Sequence, residues 1–292
     1  MVRRLDVCDL SQLNQLLRRH GFRFSKSMGQ NFLIAPWVPH ETAAASGAAD
    51  GIGVLEIGPG VGPLTAQLAQ RAERVVAVEL DRSLLPLLEE TLRDYANVRV
   101  IEGDILKQNI PALCRAEMPN LRLVACANLP YNITSPAITA LLEANCFEAI
   151  TVMVQREVAL RVCAEAGTAD YGAFSIFCRY HADCELLFDV SPDCFHPAPK
   201  VTSSVLRLIP RGRPPVPIAD EAMFFRVVRA SFAQRRKTLL NGLHAVFGAS
   251  HSKEALAETI RDCGFQADVR GERLSLTQFA QLAEKLADGR EK

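Results

Sequence analysis

Short runs of consecutive apolar residues alternate along the first half of the chain with segments of helical periodicity. Such runs, here rich in valine, isoleucine and leucine, are typical of strands buried on both faces. They lie at residues 54–57, 75–79, 98–101, 121–127 and 150–155. The helical patterns between them lie at residues 64–70, 84–94 and 138–145. Repeated strand–helix units predict a doubly wound, parallel α/β sheet with right-handed crossovers.

Polar residues mark where several helices begin. Asp9 is a suitable N-cap for a helix that runs to about Arg19. Another helix is predicted at residues 37–46. Ser135 and Pro136 supply an N-cap and a first-turn proline for the last helix of the alternating region.

The last third of the chain changes character. Two strand-like runs, at residues 185–190 and 201–209, predict a β-hairpin that ends the sheet. Residues 211–217 contain three prolines and predict a linker, and the patterns beyond it are helical. We therefore predict an N-terminal helical extension at 1–24, a sheet domain at 25–210 and a small all-helical C-terminal domain at 211–292.

The composition narrows the class of protein. The chain has 292 residues, of which 49% are hydrophobic, which is enough for one large domain and a smaller one. Its formal net charge is zero, so only a local basic patch could attract a polyanion. The opening MVRRLDVCDL has no apolar run of signal-peptide length, and no later stretch is long enough to span a bilayer. With nine scattered cysteines, we expect a cytoplasmic protein with reduced thiols.

One group of residues raises the question of a metal site. Cys178, His181, Cys184, Cys194 and His196 are of types that bind zinc. The paired spacing of zinc fingers is absent, however. We therefore predict packing roles for these side chains and no metal ion.

A predicted strand runs directly into a glycine-rich turn at Gly58, Gly60 and Gly62, and then into a helix. Glycines allow the backbone to approach a ligand closely, and ligands of doubly wound sheets bind at the carboxyl ends of the strands. Pro63 stands where a dinucleotide-binding motif would have another glycine, which argues against NAD or FAD. A turn of this kind occurs in many proteins, so further features are needed to name the ligand.

Acidic residues follow at the ends of the next two predicted strands. Glu79 lies about twenty residues beyond the glycines, where a carboxylate can accept hydrogen bonds from both hydroxyls of a ribose. The alternative, a helix N-cap, suits Asp81 better. Asp104 can accept a hydrogen bond from an adenine amino group or can be an ordinary turn residue. Together, these strand ends predict a pocket for an adenosyl group.

The fourth strand ends in Asn128-Leu129-Pro130-Tyr131. An exocyclic amine conjugated with its ring is a poor nucleophile, and acceptors that hold its hydrogens aim the nitrogen lone pair at a sulfonium methyl. The Asn128 amide oxygen and a main-chain carbonyl beside Pro130 are such acceptors. Tyr131 offers a flat face for a flipped base. The alternative is a tight turn with a packed tyrosine, but the strand-end position favours methyl transfer to a base.

These motifs, together with four others, resemble those of the ribosomal RNA adenine dimethyltransferase family. The resemblance runs from about residue 25 to residue 285 and implies a Rossmann-like class I methyltransferase fold with S-adenosylmethionine as cofactor. The motifs that carry it are Gly29-Gln30-Asn31-Phe32-Leu33, Glu56-Ile57-Gly58-Pro59-Gly60, Val78-Glu79-Leu80-Asp81, Asn128-Leu129-Pro130-Tyr131, and residues 153–159, 195–201 and 232–238.

The resemblance also implies roles for individual residues. The target adenine is expected between Tyr131 and Phe195, with Asn128, Leu129 and Pro130 completing the catalytic group. Cofactor contacts are expected from Asn31, Leu33, Gly58, Gly60, Glu79, Asp104 and Asn128.

Within the family, the sequence is most similar to the branch that dimethylates two adjacent adenosines near the 3′ end of small-subunit rRNA. We expect the immature small ribosomal subunit as its partner and a monomer in solution. The branch that modifies large-subunit rRNA is typically shorter at its C-terminus, and a related mitochondrial transcription factor would carry a targeting segment. Two other functions stay open, a ribosome-assembly binding factor and a DNA adenine methyltransferase, in which proline more often replaces Leu129.

A basic stretch in the predicted C-terminal domain can contact RNA. Between residues 226 and 237 there are five basic residues and no acidic one. They are Arg226, Arg229, Arg235, Arg236 and Lys237. Such a stripe can follow RNA phosphates, and the alternative is a solvated helix face. We predict contact with RNA.

Overall fold

The computed structural model describes residues 5–25, 29–234 and 237–288. The chain divides into two compact units, Met1–Ala159 with Cys184–Pro210, and Leu160–Asp183 with Arg211–Lys292. The second unit therefore takes in a segment that the sequence analysis assigned to the sheet domain. Its aromatic side chains explain the difference, because Tyr171 and Tyr180 are buried in the same core as Phe224 of the C-terminal helices.

The strands of the main sheet agree with the predicted runs to within three residues at each end, whereas the two short strands Phe32–Leu33 and Phe195–His196 were not predicted. The strands are β1 (Phe32–Leu33), β2 (Ile52–Ile57), β3 (Arg74–Glu79), β4 (Val98–Glu102), β5 (Arg122–Asn128), β6 (Ala149–Gln155), β7 (Ala182–Val190), β8 (Phe195–His196) and β9 (Ser203–Pro210). The main sheet has the order β4-β3-β2-β5-β6-β9-β7. Strands β2 to β6 pair in parallel, and β9 is antiparallel to β6. The doubly wound sheet and its terminal hairpin are thus confirmed.

The helices cover the faces of this sheet and build the second unit. They are α1 (Leu10–Arg19), α2 (Trp37–Ala45), α3 (Pro63–Ala69), α4 (Leu85–Leu92), α5 (Ile110–Glu117), α6 (Thr134–Glu143), α7 (Arg156–Cys163), α8 (Ala173–His181), α9 (Glu221–Phe232), α10 (Leu239–Phe247), α11 (Lys253–Asp262) and α12 (Leu276–Asp288). Among the described residues, no helix combines the length and the apolar character needed to cross a membrane.

Local chemistry explains where the helices start. The Asp9 side chain accepts a hydrogen bond from the main-chain N–H of Gln12 and caps α1, as predicted. The predicted start of α6 was wrong, because the Pro130 carbonyl accepts the Ile133 N–H at 3.1 Å and begins the turn before Ser135. Helix α5 was not predicted, since its eight residues bury only Ile110 and Cys114.

The strand β2 lies at the centre of the parallel part of the sheet, and all of its residues are buried. Its neighbours are β3 on one side and β5 on the other, so the chain adds strands β3 and β4 on one side of β2 and then β5 and β6 on the opposite side. At such a switch point the loops after adjacent strands separate and leave a crevice at their carboxyl ends. The fold therefore predicts a ligand site after β2, β3 and β5.

A second, two-stranded sheet closes one side of this crevice. Strand β1 pairs antiparallel with β8, with Leu33 opposite Phe195 and Phe32 opposite His196. Both Leu33 and Phe195 are almost fully buried. This pairing joins two motifs that are more than 160 residues apart in the chain.

Candidate active site

One pocket lies at the carboxyl ends of the central strands, and it contains every cofactor and catalytic residue named from the sequence. These residues are Asn31, Leu33, Gly58, Gly60, Glu79, Asp104, Asn128, Leu129, Pro130, Tyr131 and Phe195. Glu56 and Gln30 also line it, although no role had been assigned to them. All of these side chains belong to the first compact unit.

The glycine-rich turn forms the floor of the pocket. Gly58 and Gly60 have φ angles of 66° and 61°, a left-handed conformation that side chains with a Cβ rarely adopt. A Cβ at Gly60 would also come within 3.3 Å of the Phe32 ring. The backbone can therefore lie close to a ligand and to the strand β1 at the same time.

The carboxyl group of Glu79 ends strand β3 inside the pocket. Its side chain is only 6% exposed, and Oε1 accepts the main-chain N–H of Asp81 at 2.7 Å. Burial raises the pKa of Glu79 to about 7, although main-chain N–H groups of Asp81, Gly60 and Leu80 oppose the rise. A carboxyl group in this state gains from donors such as the hydroxyls of a ribose.

Asp81 has the capping role that was considered for it, and it holds a second segment in place. Its Oδ1 accepts the main-chain N–H of Ser83 at 2.9 Å. Its Oδ2 accepts the Gln30 amide at 2.5 Å, and the other side of that amide accepts the main-chain N–H of Ser25 at 2.9 Å. Gln30 therefore fastens the segment before β1 to the end of β3.

Asp104 and Asn31 both line the pocket. The Asp104 carboxylate accepts the main-chain N–H of Leu106 at 3.0 Å and lies 3.6 Å from the Lys107 ammonium. It is a turn residue that also lines the pocket, and its contact with an adenine amino group stays a prediction. The Asn31 amide donates to the Gly29 carbonyl at 3.1 Å, which leaves its carbonyl oxygen for other donors.

Glu56 is the main residue that the sequence analysis missed. It sits within β2, is 1% exposed, and its Oε2 has no hydrogen-bond partner among the described residues. Burial raises its pKa to about 8, and the neighbouring carboxyl of Glu79 adds to the rise, while the Thr65 hydroxyl opposes it. Its signal in the sequence was a carboxylate inside an otherwise apolar run, a position where charged residues are rare.

The loop after β5 presents hydrogen-bond acceptors. The Leu129 N–H donates to the Met153 carbonyl at 3.0 Å, which fixes the loop to β6. The Pro130 carbonyl is occupied, because it accepts the Ile133 N–H and, at 3.3 Å, the Thr134 hydroxyl. Within the described part of the chain, neither the Leu129 carbonyl nor the Asn128 amide has such a partner. Of the main-chain carbonyls of Leu129 and Pro130, that of Leu129 is therefore the one without a hydrogen-bond donor among the described residues.

Two aromatic side chains stand at the same loop. The Tyr131 hydroxyl and the Ser203 hydroxyl are 2.7 Å apart, so the ring is anchored to β9. Burial raises the pKa of Tyr131, and the Ser203 hydroxyl partly offsets the rise. Phe195 is 3% exposed and is held by its pairing with Leu33. The pocket therefore has the two aromatic walls that were expected around an adenine.

The basic residues named as RNA contacts do not form one helical stripe. Arg226 and Arg229 are exposed on α9, but that helix ends at Phe232. The Arg226 guanidinium lies 4.5 Å from the centre of the Phe247 ring and donates to the Val246 carbonyl. Lys237 is exposed in the turn after α9. Arg235 and Arg236 lie outside the described residues.

Two of the cysteines that raised the question of zinc, Cys178 and Cys194, are buried. The indole N–H of Trp37 donates to the Cys194 thiol. In the ranges that the structure covers, no three His, Cys, Asp or Glu side chains come together as metal ligands would.

Comparison with known proteins gives this pocket a family. The sequence profile described as "Ribosomal RNA adenine dimethylase" matches residues 21–288. The chain belongs to this family. Ribosomal RNA small subunit methyltransferase A of Shouchella clausii (strain KSM-K16) is 43% identical over 283 residues, which is 96% of each protein. The protein of that name from Streptococcus pneumoniae serotype 2 (strain D39 / NCTC 7466) is 42% identical and covers 96% of this chain and 98% of its own length.

Solved structures give the same fold. A dimethyladenosine transferase from Plasmodium falciparum matches with a TM-score of 0.74 and 23% identity over 88% of this chain and 98% of its own. The 23S rRNA methyltransferase ErmE matches with a TM-score of 0.66 and 26% identity over 88% of this chain and all of its own. The class I methyltransferase architecture is thereby confirmed.

As a member of this family, the protein is an S-adenosylmethionine-dependent methyltransferase. When bound, S-adenosylmethionine supplies a methyl group on a positively charged sulfur. The pocket fits such a cofactor, because the Glu56 oxygen without a partner and the Glu79 carboxyl are buried in it, and a positively charged ligand favours the ionised form of both groups. The glycine turn provides the close backbone approach that an adenosyl group needs.

Proposed function

We propose that this protein dimethylates the N6 amines of two adjacent adenosines near the 3′ end of small-subunit ribosomal RNA. The observation that carries the proposal is that the Asn128–Tyr131 loop, Phe195 and Glu79 share one pocket. The curated relatives named small-subunit methyltransferase A are similar over nearly the whole chain and support the choice of RNA.

In this proposal the acceptors of the loop prepare the adenine amine. The Asn128 amide oxygen and the Leu129 carbonyl accept the N–H groups, so the nitrogen lone pair is directed away from the base and toward the cofactor side of the pocket. Tyr131 and Phe195 hold the base between their rings, and the Ser203 hydroxyl keeps Tyr131 in position. The amine releases its proton to water after transfer, so no general base is required.

The cofactor roles are proposals of the same kind. Glu79 accepts the ribose hydroxyls, Asp104 accepts the adenine amino group, and the backbone around Gly58 and Gly60 lies against the adenosyl group. Asn31, Leu33 and Asn128 complete the contacts.

We propose that the protein is a monomer in the cytoplasm and that its partner there is the immature small ribosomal subunit. Exposed Arg229 and Lys237 support a phosphate-binding surface in the second unit. Arg235 and Arg236 are included on the sequence alone. We propose a smaller contribution to RNA binding from Arg226, because its guanidinium already contacts the Phe247 ring and the Val246 carbonyl.

The test is to map the product. Purified protein and radiolabelled S-adenosylmethionine are offered small subunits from cells without the gene, large subunits, and duplex DNA. We expect dimethyladenosine at two adjacent positions of small-subunit rRNA alone. Label in large-subunit rRNA or in DNA would contradict the proposal, and tight binding to small subunits without turnover would favour a pure assembly factor.

A further inference from the structure

An exposed aromatic pair lies outside the pocket described above. Trp37, the single tryptophan of the chain, is 46% exposed at the start of α2. Its ring centre is 5.8 Å from that of Phe188, with an angle of 52° between the planes. Phe188 lies on β7, the edge strand of the main sheet, and Leu186 on the same face of that strand is 38% exposed. Trp37 and Phe188 are called the aromatic platform below.

The aromatic platform is physically continuous with the wall of the base pocket. The Trp37 indole N–H donates to the Cys194 thiol, and Cys194 immediately precedes Phe195. Phe188 packs against the cluster that contains Leu33 and Phe195. Trp37 therefore contacts the residue next to Phe195, which lines the pocket.

The chemistry of the substrate indicates what covers these rings. A base that leaves its stack to enter a pocket exposes the faces of its neighbours to water. Proteins that bind unpaired RNA cover such faces with aromatic side chains. A second base beside the target is also required if two adjacent adenosines are modified in turn.

Two carboxylates of β7 beside the aromatic platform are paired with arginines, whereas Asp193, next to Cys194, is exposed. On β7, Glu185 is paired with Arg207 at 2.7 Å and Asp189 with Arg156 at 3.1 Å. Lys200 is exposed in the loop between Phe195 and β9, and it forms no ion pair with a described residue. Lys200 is on the same loop as Phe195, so its ammonium group can bind the RNA phosphate that follows the target base.

We propose that Trp37 and Phe188 stack an unpaired nucleobase of the RNA that flanks the target adenine, so that the aromatic platform is a second base subsite of this enzyme. The proposal rests on RNA being the substrate, as proposed above. The second subsite fixes the path of the RNA strand on the protein surface while the target base is in the pocket.

The single tryptophan makes the proposal directly measurable. Native protein is titrated with a dye-labelled single-stranded oligoadenylate while dye anisotropy reports binding and tryptophan fluorescence reports Trp37. We expect quenching that follows the binding curve. An abasic oligomer of equal length and charge should bind without quenching, because it keeps the phosphates and lacks the stacking rings.

Methylation of small ribosomal subunits provides the second arm. We expect Trp37→Ala to raise KM about tenfold at unchanged kcat, which is within the usual contribution of one base stack. Trp37→Phe should stay within about threefold of the native KM, since it retains an aromatic face. Leu10→Ala, which removes another exposed apolar side chain on α1, should behave as the native protein. The affinity for S-adenosylmethionine should be the same in all of them.

Each outcome decides the question. A native KM for Trp37→Ala, or an unchanged tryptophan signal with RNA bound, overturns the aromatic platform. If Trp37→Ala also loses cofactor affinity, the milder Phe188→Leu replaces it in the same assay, and a native KM for that variant overturns the proposal. A protein that methylates no RNA at all contradicts the proposed function instead, and quenching by oligoadenylate would still report the stack.

Discussion

Replacing Glu56 with glutamine keeps the shape of the side chain and removes a carboxyl that the fold holds away from water. Glu56 is 1% exposed in the middle of β2, and its Oε2 has no hydrogen-bond partner among the described residues. Burial and the nearby Glu79 carboxyl raise its pKa from 4.5 to about 8. The native protein without cofactor therefore carries a group whose ionisation opposes folding.

The sign and size of the effect follow from that pKa. The unfolded chain releases this proton near pH 4.5, whereas the folded protein keeps it until about pH 8. The contribution of Glu56 to the free energy of unfolding is thus greatest below pH 4.5 and falls as the pH rises through this window. At about 1.4 kcal/mol for each pH unit, the loss approaches about 5 kcal/mol, which is comparable with the total stability of many domains.

The assay is denaturant unfolding of the cofactor-free protein at several values between pH 5.5 and about 8.5. We expect the native protein to lose stability across this range and Glu56→Gln to lose much less. Some slope should remain in the variant, because the pKa of Glu79 is also raised, to about 7. Glu148→Gln is the matched control, since this exposed carboxyl is paired with Arg122 and its pKa is lowered.

Proton release on cofactor binding should provide a second measurement of the Glu56 carboxyl. A cation that enters the pocket favours the ionised carboxyl, so we expect the native protein to release protons on binding near pH 7.5, and Glu56→Gln to release fewer. Calorimetry in two buffers of different ionisation enthalpy measures this difference. If native and Glu56→Gln proteins had the same stability slope and the same proton release, Glu56 would not be the buried titrating group.

Substitutions at the other proposed contacts separate the roles of the pocket and the RNA surface. Tyr131→Ala should lower turnover by about 5- to 150-fold, which corresponds to about 1–3 kcal/mol of lost stacking. Calorimetry should show native cofactor affinity in this variant, and the control Tyr131→Phe should stay active. Full turnover in Tyr131→Ala would show that Tyr131 does not stack on the target base. Glu79→Ala should weaken S-adenosylmethionine binding a hundredfold or more, because two charge-assisted bonds of about 1.5–3 kcal/mol each are lost, with RNA binding in a filter assay unchanged. Replacing Arg235, Arg236 and Lys237 with alanine should weaken RNA binding and lower its salt dependence by about 0.7–0.9 per lost phosphate contact, so identical affinities at every salt concentration would exclude the contact.

Much of the architecture could be read from the sequence because its signals are local. A buried parallel strand shows itself by consecutive apolar residues, as in β2, β3, β5 and β6, and each of these is followed by its helix. The predicted burial of β4 on both faces was wrong, because this strand lies at the edge of the sheet and has no buried residue. Much of the pocket could be predicted for the same reason, since one group of the residues that line it lies at or just after the ends of β2, β3, β4 and β5. Carboxyl ends of parallel strands meet at one edge whatever the length of the loops between them.

The parts that escaped prediction depend on contacts between distant segments. The two-residue strands β1 and β8 are too short to show a pattern, and only their pairing reveals them. The Ser203 hydroxyl that anchors Tyr131 lies 72 residues further along the chain. The assignment of residues 160–183 to the second unit depends on which core receives Tyr171 and Tyr180. Periodicity shows that such side chains are buried, but not against what.

Glu56 is neither a feature that follows the local sequence pattern nor one that depends only on distant contacts, because it is an exception within an apolar run. Within β2 it interrupts an apolar run without disturbing the strand, because its neighbours on β3 and β5 still pair with it. A leucine there would remove the desolvation penalty, so stability alone does not account for the carboxyl. Its position beside Glu79 in the cofactor pocket gives it a use, since two raised pKa values mark a site that gains from a positive ligand. The same burial that weakens the empty protein above pH 4.5 strengthens its attraction for a cationic cofactor.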